Sequence, residues 1–401
     1  MHLIDLLALL GCALIFAKLL GGIVSRFGVP SVLAELLTGV LFGNLGGFIG
    51  TQFNILEHSD IAHSLSEMGV LFLLFIVGLE TDITEITKVG KDAGLAAIAG
   101  VIAPFALAFL VIPWIIPTST FNHTLFMGAT LCATSVGITA AVLKDTGKLS
   151  SISGRIIIGA AVIDDVLGII VLTVVSALVT QGSVSMIQLA TLLGKIFLFG
   201  GGVILLRRFF LPNVLSRIRP LEVSGTITIL LFSLTMIVAW TAELSGLEGI
   251  IGAFALGMAL EDIHFKGYKE KGEYSLEHLM KPITDFLVPI FFVVMGMSVK
   301  LSAFASGESL SIAGILIIVA IIGKMVCGYV ISKKSVAQGA DRLLIGFGMI
   351  PRGEVGLIFA AMGSKLKVLN ETDYAAVVAM VAVTTLIAPG LLAWRSKQVK
   401  S

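Results

Sequence analysis

Thirteen long apolar stretches dominate this sequence and restrict it to one class of fold. Each falls within or above the roughly 17 to 25 residues that an α-helix needs to cross a bilayer. Of all residues, 57% are hydrophobic and only 13% are charged. In a lipid interior every backbone polar group must be paired within the chain, which favours helices as the spanning elements. The sequence therefore predicts an all-α polytopic membrane protein, with spans near residues 3–26, 30–50, 61–80, 90–117, 122–145, 152–181, 185–211, 221–245, 247–263, 276–300, 308–333, 339–366 and 372–394.

The basic residues between these stretches predict the orientation of the chain. Lys and Arg concentrate in the cytoplasmic connections of membrane proteins. If the N-terminus lies outside, the outer connections hold only Lys300, Lys365 and Lys367, and the other basic residues of the connections lie inside. We therefore expect an odd number of spans, the N-terminus outside and the C-terminus in the cytoplasm. The expected membrane is a bacterial-type inner membrane or an internal energy-coupling membrane.

Charge and residue distribution argue against several other functions. The formal net charge is +1, so we expect no nucleic acid partner. The three cysteines lie in apolar stretches, and the six histidines are expected in connections or at the terminus, without metal-ligand spacing. We expect no resident metal centre and no other cofactor.

Two adjacent carboxylates, Asp164 and Asp165, lie within the sixth apolar stretch. A charge in the middle of a membrane helix costs about 2.5 to 3.5 kcal/mol, and neighbouring like charges also repel each other. Lys324 lies near the middle of the eleventh stretch, where an unpaired ammonium group is also unfavourable. We therefore expect Lys324 to pair with one of the two aspartates. Ionisable groups at this depth predict a site for a transported ion or proton.

Two other stretches contain residues that interrupt a helix. Residues 133–139 of the fifth read ATSVGIT, and residues 350–356 of the twelfth read IPRGEVG. Irregular backbone is tolerated in a membrane where it is buried in protein or lines a cavity; a simple kink is the alternative for the fifth stretch. Ser135-Val-Gly-Ile and Glu354-Val-Gly-Leu align and lie seven spans apart. This placement predicts inverted repeats of spans one to six and eight to thirteen, with broken helices at the transport site.

Four motifs follow one another along the chain: residues 134–139, residues 162–168, Gly323-Lys324 and residues 351–357. In this order they resemble the cation:proton antiporter-2 family, and closely resemble its NapA-type bacterial sodium/proton antiporters. The resemblance extends over essentially the whole chain, including residues 30–39 and 73–80. It implies thirteen spans in two inverted repeats, two discontinuous helices that cross, and a homodimer in which a core domain moves like an elevator against a dimerisation domain. The implied dimerisation domain is 1–83 with 221–300, the linker helix is 185–211, and the core domain is 90–181 with 308–394.

The same resemblance implies roles for single residues. Asp165 would be the principal carboxylate for the cation and the proton, and Asp164 would pair with Lys324 when no cation is bound. Thr134 and Ser135 would supply oxygen atoms near the ion, so that Na⁺ would be held chiefly by Asp165 and Asp164. Glu354 and Arg352 would balance the partial charges where the broken helices cross. The nucleotide-binding domain of the family's potassium-efflux branch is not expected here.

The chemistry of these residues also favours cation/proton exchange. Sodium is a hard cation that prefers oxygen ligands, and Li⁺ and K⁺ are alternative substrates for such a site. Burial disfavours the charged form of a carboxyl group and a nearby ammonium favours it, so one site can hold either protons or a cation. If Lys324 also releases a proton, two protons exchange for each Na⁺ and the cycle is electrogenic.

Three other classes of protein also place carboxylates within a membrane. Neighbouring residues on one helix point about 100° apart, so Asp164 and Asp165 do not form the facing dyad of an intramembrane protease, and we expect no enzyme. The internal repeat argues against a channel. A sodium-coupled symporter of an organic anion, on a related inverted-repeat fold, is the remaining alternative, and it would not need Lys324 paired to an aspartate.

Overall fold

The structure, a computed structural model, describes residues 3–26, 29–49, 59–81, 83–210, 226–260, 276–299, 301–304 and 307–399. The described residues are mostly helical and include no β-strand. They also include a π-helical turn, Leu206–Phe210, and a 3₁₀ turn, Leu301–Phe304. The helices are α1 (Leu3–Ser25), α2 (Ser31–Ile49), α3 (Asp60–Leu79), α4 (Ile83–Ile115), α5 (Phe121–Cys132), α6 (Val136–Asp145), α7 (Ile152–Gln181), α8 (Met186–Leu205), α9 (Thr226–Leu244), α10 (Gly249–Ala259), α11 (Leu276–Met297), α12 (Gly307–Tyr329), α13 (Lys333–Ala337), α14 (Arg342–Gly348), α15 (Glu354–Lys365) and α16 (Glu371–Gln398).

The predicted membrane architecture is confirmed. Ten stretches of helix in the described residues are long and apolar enough to cross a bilayer. The other three predicted spans correspond to α2, to α10 and to the pair α14 and α15. The predicted span 247–263 is described only as far as residue 260, so its last part lies outside the described residues. The protein is a multi-pass integral membrane protein.

Both predicted helix breaks are present, and both are short. The fifth span is divided into α5 and α6 by residues 133–135, and the rest of the polar patch, from Val136 onward, is already helical. The twelfth span is divided into α14 and α15 by residues 349–353, which include Pro351. Proline lacks the N–H that continues a helical ladder, which accounts for the interruption between α14 and α15.

Contacts divide the chain into two compact units. The first comprises Met1–Ser66, Ile86–Val184 and Pro289–Ser401. Its hydrophobic core is built from α4, α5, α7, α12, α15 and α16, and includes Phe126 and Phe359, which are almost completely buried. This unit contains all seven residues predicted for the ion site and the helix crossing, which are Thr134, Ser135, Asp164, Asp165, Lys324, Arg352 and Glu354. The division of the chain into a moving core and a dimerisation domain stays a prediction.

The second unit comprises Glu67–Glu85 and Ser185–Val288. Within it, α9 and α10 pack together at Gly252, where a side chain would meet the backbone of Ala239 at 2.9 Å. The rings of Phe72 and Phe232 stack with their centroids 4.8 Å apart. Interior side chains of this unit are therefore packed as in a membrane helix bundle, with small residues where backbones approach closely.

Two pairs of glycines allow helices to cross with their backbones in contact. In the first unit a Cβ atom on Gly39 of α2 would lie 2.7 Å from the Cα of Gly296 of α11. In the second unit a Cβ atom on Gly78 of α3 would lie 3.0 Å from the Cα of Gly257 of α10. In the predicted repeat, span two corresponds to span nine and span three to span ten. The first crossing joins span two to span ten, and the second joins span nine to span three. Exchanging each span for its counterpart in the other repeat converts one crossing into the other, which agrees with the inverted repeat.

Candidate functional site

A buried ion pair joins α7 to α12. The ammonium Nζ of Lys324 lies 3.0 Å from Oδ2 and 3.2 Å from Oδ1 of Asp164. Both side chains are almost completely inaccessible, with 0% of the lysine and 1% of the aspartate exposed. Each group compensates the charge of the other, and either charge would be unfavourable to bury alone. Of the two aspartates that the sequence left open as partners, the structure pairs Asp164 with Lys324.

Asp165 follows directly on α7 and is also buried, with 6% of the residue exposed. Because consecutive residues of a helix point about 100° apart, its carboxylate is directed away from that of Asp164. The first unit therefore buries two consecutive carboxylates on α7, and one of them, Asp164, contacts the ammonium of α12. The role of Asp165 in holding the ion stays a prediction.

The two helix breaks pass each other, and hydrogen bonds join them. The N–H of Ser135 donates to the carbonyl oxygen of Pro351 at 2.8 Å. The hydroxyl of Thr139 donates to the carbonyl of Gly348 at 2.7 Å, and that of Thr134 donates to the carbonyl of Met349 at 3.3 Å. The last two bonds satisfy carbonyl groups at the C-terminal end of α14, which have no partner within that helix.

Thr134 and Ser135 are both buried at this crossing, with 2% and 8% exposed. A hydroxyl that donates its proton keeps lone pairs on its oxygen. The oxygen of Thr134 thus keeps electron pairs that a cation can use. At Gly353, a Cβ atom would lie 3.0 Å from the hydroxyl oxygen of Ser135, so the second break passes directly beside that side chain.

Arg352 lies at the centre of the crossing and is completely buried. One terminal nitrogen of its guanidinium donates to the carbonyl oxygen of Ala133, at the C-terminal end of α5. The other donates to the carbonyl of Ala320 on α12 at 3.4 Å, one turn before Lys324. The carbonyl of Arg352 itself accepts a hydrogen bond from the hydroxyl of Thr385 on α16. A guanidinium at the C-terminal end of a helix is stabilised by the helix dipole.

Glu354 is the first residue of α15. An acidic residue at the N-terminal end of a helix complements the positive end of the helix dipole. Its side chain lies outside the described residues, so its predicted role in charge compensation stays a prediction.

A sequence profile of the family described as sodium/hydrogen exchanger, transmembrane, matches residues 12–397. This chain belongs to the sodium/hydrogen exchanger family. The resemblance stated from the motifs is thereby confirmed. The charged cluster on α7 and α12 and the crossing of the two breaks lie within the matched range.

Relatives within the exchanger family are similar over almost the whole chain. The chain is 37% identical to the high-affinity Na(+)/H(+) antiporter NhaS3 of Synechocystis sp., over 93% of this chain and 86% of that protein. It is 32% identical to a Na(+)/H(+) antiporter of Enterococcus hirae, over 97% of each chain. The fold is similar to that of the sodium proton antiporter MjNhaP1 from Methanocaldococcus jannaschii, with a TM-score of 0.73 and 17% identity over 100% of this chain and 97% of that one.

One buried polar pair of this exchanger-family chain could not be predicted from its sequence. His123 was expected in a connection, although the predicted span 122–145 begins one residue before it, and the structure places it in the first turn of α5, where it is buried. Its Nε2 lies 3.0 Å from Oδ2 of Asp373 in the first turn of α16. The residues are 250 positions apart, so no local pattern indicates the contact. The only local signal is Thr120, a helix-capping residue type that marks where α5 begins.

A second polar pair, Lys18 and Glu35, lies on α1 and α2. Lys18 Nζ is 3.0 Å from Glu35 Oε1, and the side chains are 56% and 4% exposed. The aliphatic part of a lysine can lie along apolar surface while its charge reaches the boundary, but here the charge also pairs with a buried carboxylate. The pair therefore joins α1 to α2 through an exposed lysine and a buried glutamate.

At the ends of α14 and α16, Asp341 binds Arg395 in a bidentate ion pair. Arg395 Nε lies 3.0 Å from Asp341 Oδ1, and its terminal nitrogen lies 2.7 Å from Oδ2. Burial raises the pKa of Asp341, but hydrogen bonds from Arg395 and from the Leu344 N–H together outweigh it and hold the pKa below its usual value of 3.8. The span predicted from sequence, 339–366, includes Asp341, but the first helix of that span, α14, begins only at Arg342. Asp341 therefore lies before the helical part of the twelfth span.

Proposed function

We propose that this protein is a secondary active antiporter that exchanges Na⁺ for H⁺ across its membrane. The observation that supports this most strongly is the buried ion pair of Lys324 and Asp164 beside Asp165, in a chain of the sodium/hydrogen exchanger family. The similar proteins of Synechocystis sp. and Enterococcus hirae are named Na(+)/H(+) antiporters, which favours antiport over the symport of an organic anion. Li⁺ and K⁺ are the alternative cations.

In the proposed cycle, a cation and protons compete for the same carboxylates. An arriving Na⁺ takes oxygen ligands from Asp165, Asp164 and the hydroxyl-bearing break at Thr134 and Ser135. The Lys324 ammonium then leaves Asp164, because the cation now compensates that carboxylate. When the site is protonated, the cation is released and the ion pair re-forms. Alternating access follows from elevator movement of a core domain, residues 90–181 with 308–394, against the dimerisation domain.

The exchange is proposed to be electrogenic. If Lys324 releases its proton on leaving Asp164, two protons cross for each Na⁺, and one net charge moves per cycle. Moving one charge through a potential of 100 mV corresponds to about 2.3 kcal/mol. An imposed membrane potential should therefore change the rate of exchange in reconstituted vesicles. Indifference of the rate to the potential would refute this stoichiometry.

Several further properties belong to the same proposal. The protein works as a homodimer, with its N-terminus outside and its C-terminus in the cytoplasm of a bacterial-type inner or energy-coupling membrane. It is a transporter and not an enzyme, and it needs no resident cofactor, because the transported Na⁺ and H⁺ are its only small-molecule partners. The orientation is testable with a reporter domain that is active only in the cytoplasm. Fused after the last residue, this reporter should be active.

The decisive experiment is a proton-gradient assay in everted membrane vesicles, in which Na⁺, Li⁺ or K⁺ is added over a range of pH. Wild type should dissipate the gradient on addition of Na⁺, and Asp165→Asn should not, because it removes the principal anionic ligand. Asp285→Asn is the matched control, since that aspartate is 60% exposed and pairs only with its neighbour Lys281 among the contacts described. Normal exchange by Asp165→Asn would make the assignment of the site wrong.

A further inference from the structure

The Lys324 ammonium lies against α4 at Gly100, a residue without a side chain. Gly100 of α4 is buried, and a Cβ atom built on it would lie 3.1 Å from Lys324 Nζ and 3.5 Å from Asp164 Oδ1. The same atom would lie 3.1 Å from the sulfur of Cys327, which is one turn along α12 from Lys324 and completely buried. Two small residues, Gly100 and Cys327, therefore border the space around the ion pair.

The distance between α4 and α12 is fixed by another contact close to this space. A Cβ atom on Gly323, the residue before Lys324, would lie 3.0 Å from the ring of Pro104 and 3.1 Å from its Cα. The proline ring is rigid, and the helices already touch there through a glycine. The two helices cannot come closer, so the room around the ammonium depends on the side chains that face it.

We propose that Gly100 is a selectivity-determining residue, because it leaves the room into which the Lys324 ammonium moves when a cation binds. This inference rests on the proposed function and adds a residue to the same site. Lys324 is 0% exposed, so its side chain moves within the protein when it leaves Asp164, whether or not it releases its proton. The backbone of Gly100, which has no side chain, is directly adjacent to it.

The size of this space limits the size of the cation. A larger cation must displace the ammonium further from Asp164 in order to reach the carboxylate oxygens. A methyl group at position 100 would occupy part of the space and would therefore penalise Na⁺ more than Li⁺, and K⁺ most. Enlarging the space on the side of Cys327 would have the opposite effect.

The test compares Gly100→Ala with Gly94→Ala in the same helix. Gly94 has open space where its side chain would be, so this control makes the same chemical change away from the ion pair. Proton-gradient assays give the apparent KM for each cation. One added methylene in a fitted pocket changes discrimination by about tenfold or more, and we expect Gly100→Ala to raise the KM for Na⁺ relative to that for Li⁺ by this factor. Gly94→Ala should leave the ratio at the wild-type value.

A second variant covers the case in which Gly100→Ala does not fold. Cys327→Ala removes the sulfur beside the ammonium and should shift the Na⁺ to Li⁺ ratio of KM in the opposite direction. The double variant should fall between the two single variants. The inference is overturned if wild type exchanges Na⁺ for H⁺ but Cys327→Ala and any folded Gly100→Ala keep the wild-type ratio. Absence of cation-dependent exchange in wild type would instead overturn the proposed function itself.

Discussion

The guanidinium of Arg352 donates a hydrogen bond to the carbonyl of Ala133, where half-helix α5 ends. The positive charge of one broken span thus lies at the C-terminal end of a half-helix of the other, where the predicted charge compensation would act. Because Arg352 also reaches the carbonyl of Ala320 on α12, one side chain connects the helix crossing with the helix that carries Lys324.

Replacing Arg352 should therefore destabilise the fold as well as stop transport. Arg352→Gln leaves buried carbonyl groups without a full set of donors, and each such group costs about 1 to 3 kcal/mol. We expect a lower melting temperature in detergent and loss of the Na⁺-dependent proton signal. Lys334→Gln, which removes an exposed positive charge, is the control and should melt like wild type. Equal melting temperatures for both variants would contradict the capping role.

Lys324 and Asp164 should stabilise the protein as a unit. Removing one partner of a buried ion pair leaves an uncompensated charge and costs about 3 to 5 kcal/mol. Lys324→Ala and Asp164→Asn should each lower the melting temperature, and the double variant should lose much less than the sum of the two. Thermal unfolding of all four proteins gives the coupling energy. Strictly additive losses would show that the pair is not formed.

The backbone contacts at the glycine crossings should not tolerate a methyl group. Gly39→Ala and Gly78→Ala would each place a carbon against the backbone of a neighbouring helix, and overpacking of this kind costs about 1 to 3 kcal/mol or more. Gly11→Ala in α1 is the matched control, because open space surrounds the position of its side chain. Detergent melting curves should separate the two classes of variant, and a wild-type curve for Gly39→Ala would rule out so close a crossing.

Asp373 should hold together the ends of two helices in the first unit. It accepts from His123 at 3.0 Å and from the backbone N–H of Asn370 at 3.1 Å. Asp373→Ala removes both bonds and leaves a buried imidazole without this partner, at a cost of about 1 to 3 kcal/mol. Glu371→Ala, an exposed acid in the same turn, should have little effect. Proteolysis rates near residue 370 and melting temperatures would reveal the difference, and similar behaviour of the two variants would count against the pair.

The ion pair of Asp341 and Arg395 should make stability depend on acid pH. Because the folded pKa of Asp341 lies below its usual value of 3.8, the stabilisation is present above about pH 4 and is lost as the pH falls through the folded pKa. Above about pH 4, wild type should melt at a higher temperature than Asp341→Asn. At lower pH the melting temperatures of the two proteins should converge. A difference that persisted unchanged at pH 3 would contradict this linkage.

The sequence predicts the membrane helices well wherever their ends carry local signals. The predicted span 152–181 has the same bounds as α7, because Ser151 caps its first turn and Gly182 ends it with a positive φ of 70°. The burial cost of charges in a membrane was sufficient to predict that Lys324 meets an aspartate. Which of the two neighbours it meets depends on the rotation of α7 against α12, and no local pattern contains that information.

Contacts between distant segments were beyond the sequence. His123 resembles a loop residue because it follows the polar cap Thr120, and its partner is determined only by how α5 packs with α16. Gly100 gives no signal in a chain with 44 glycines, because only the packing of α4 against α12 distinguishes it. The ligand roles of Asp165, Thr134 and Ser135 stay predictions carried by the family resemblance.

The glycine crossings also determine which kinds of mutation the helices accept. A contact between two backbones depends on register, because each residue advances an α-helix by about 100°. Inserting or deleting one residue within α2 before the crossing would turn Gly39 away and present Thr38 or Val40 to the carbonyl groups of α11. Substitutions on the other faces leave the register intact. Changes in chain length should therefore be tolerated between the helices and rejected within them.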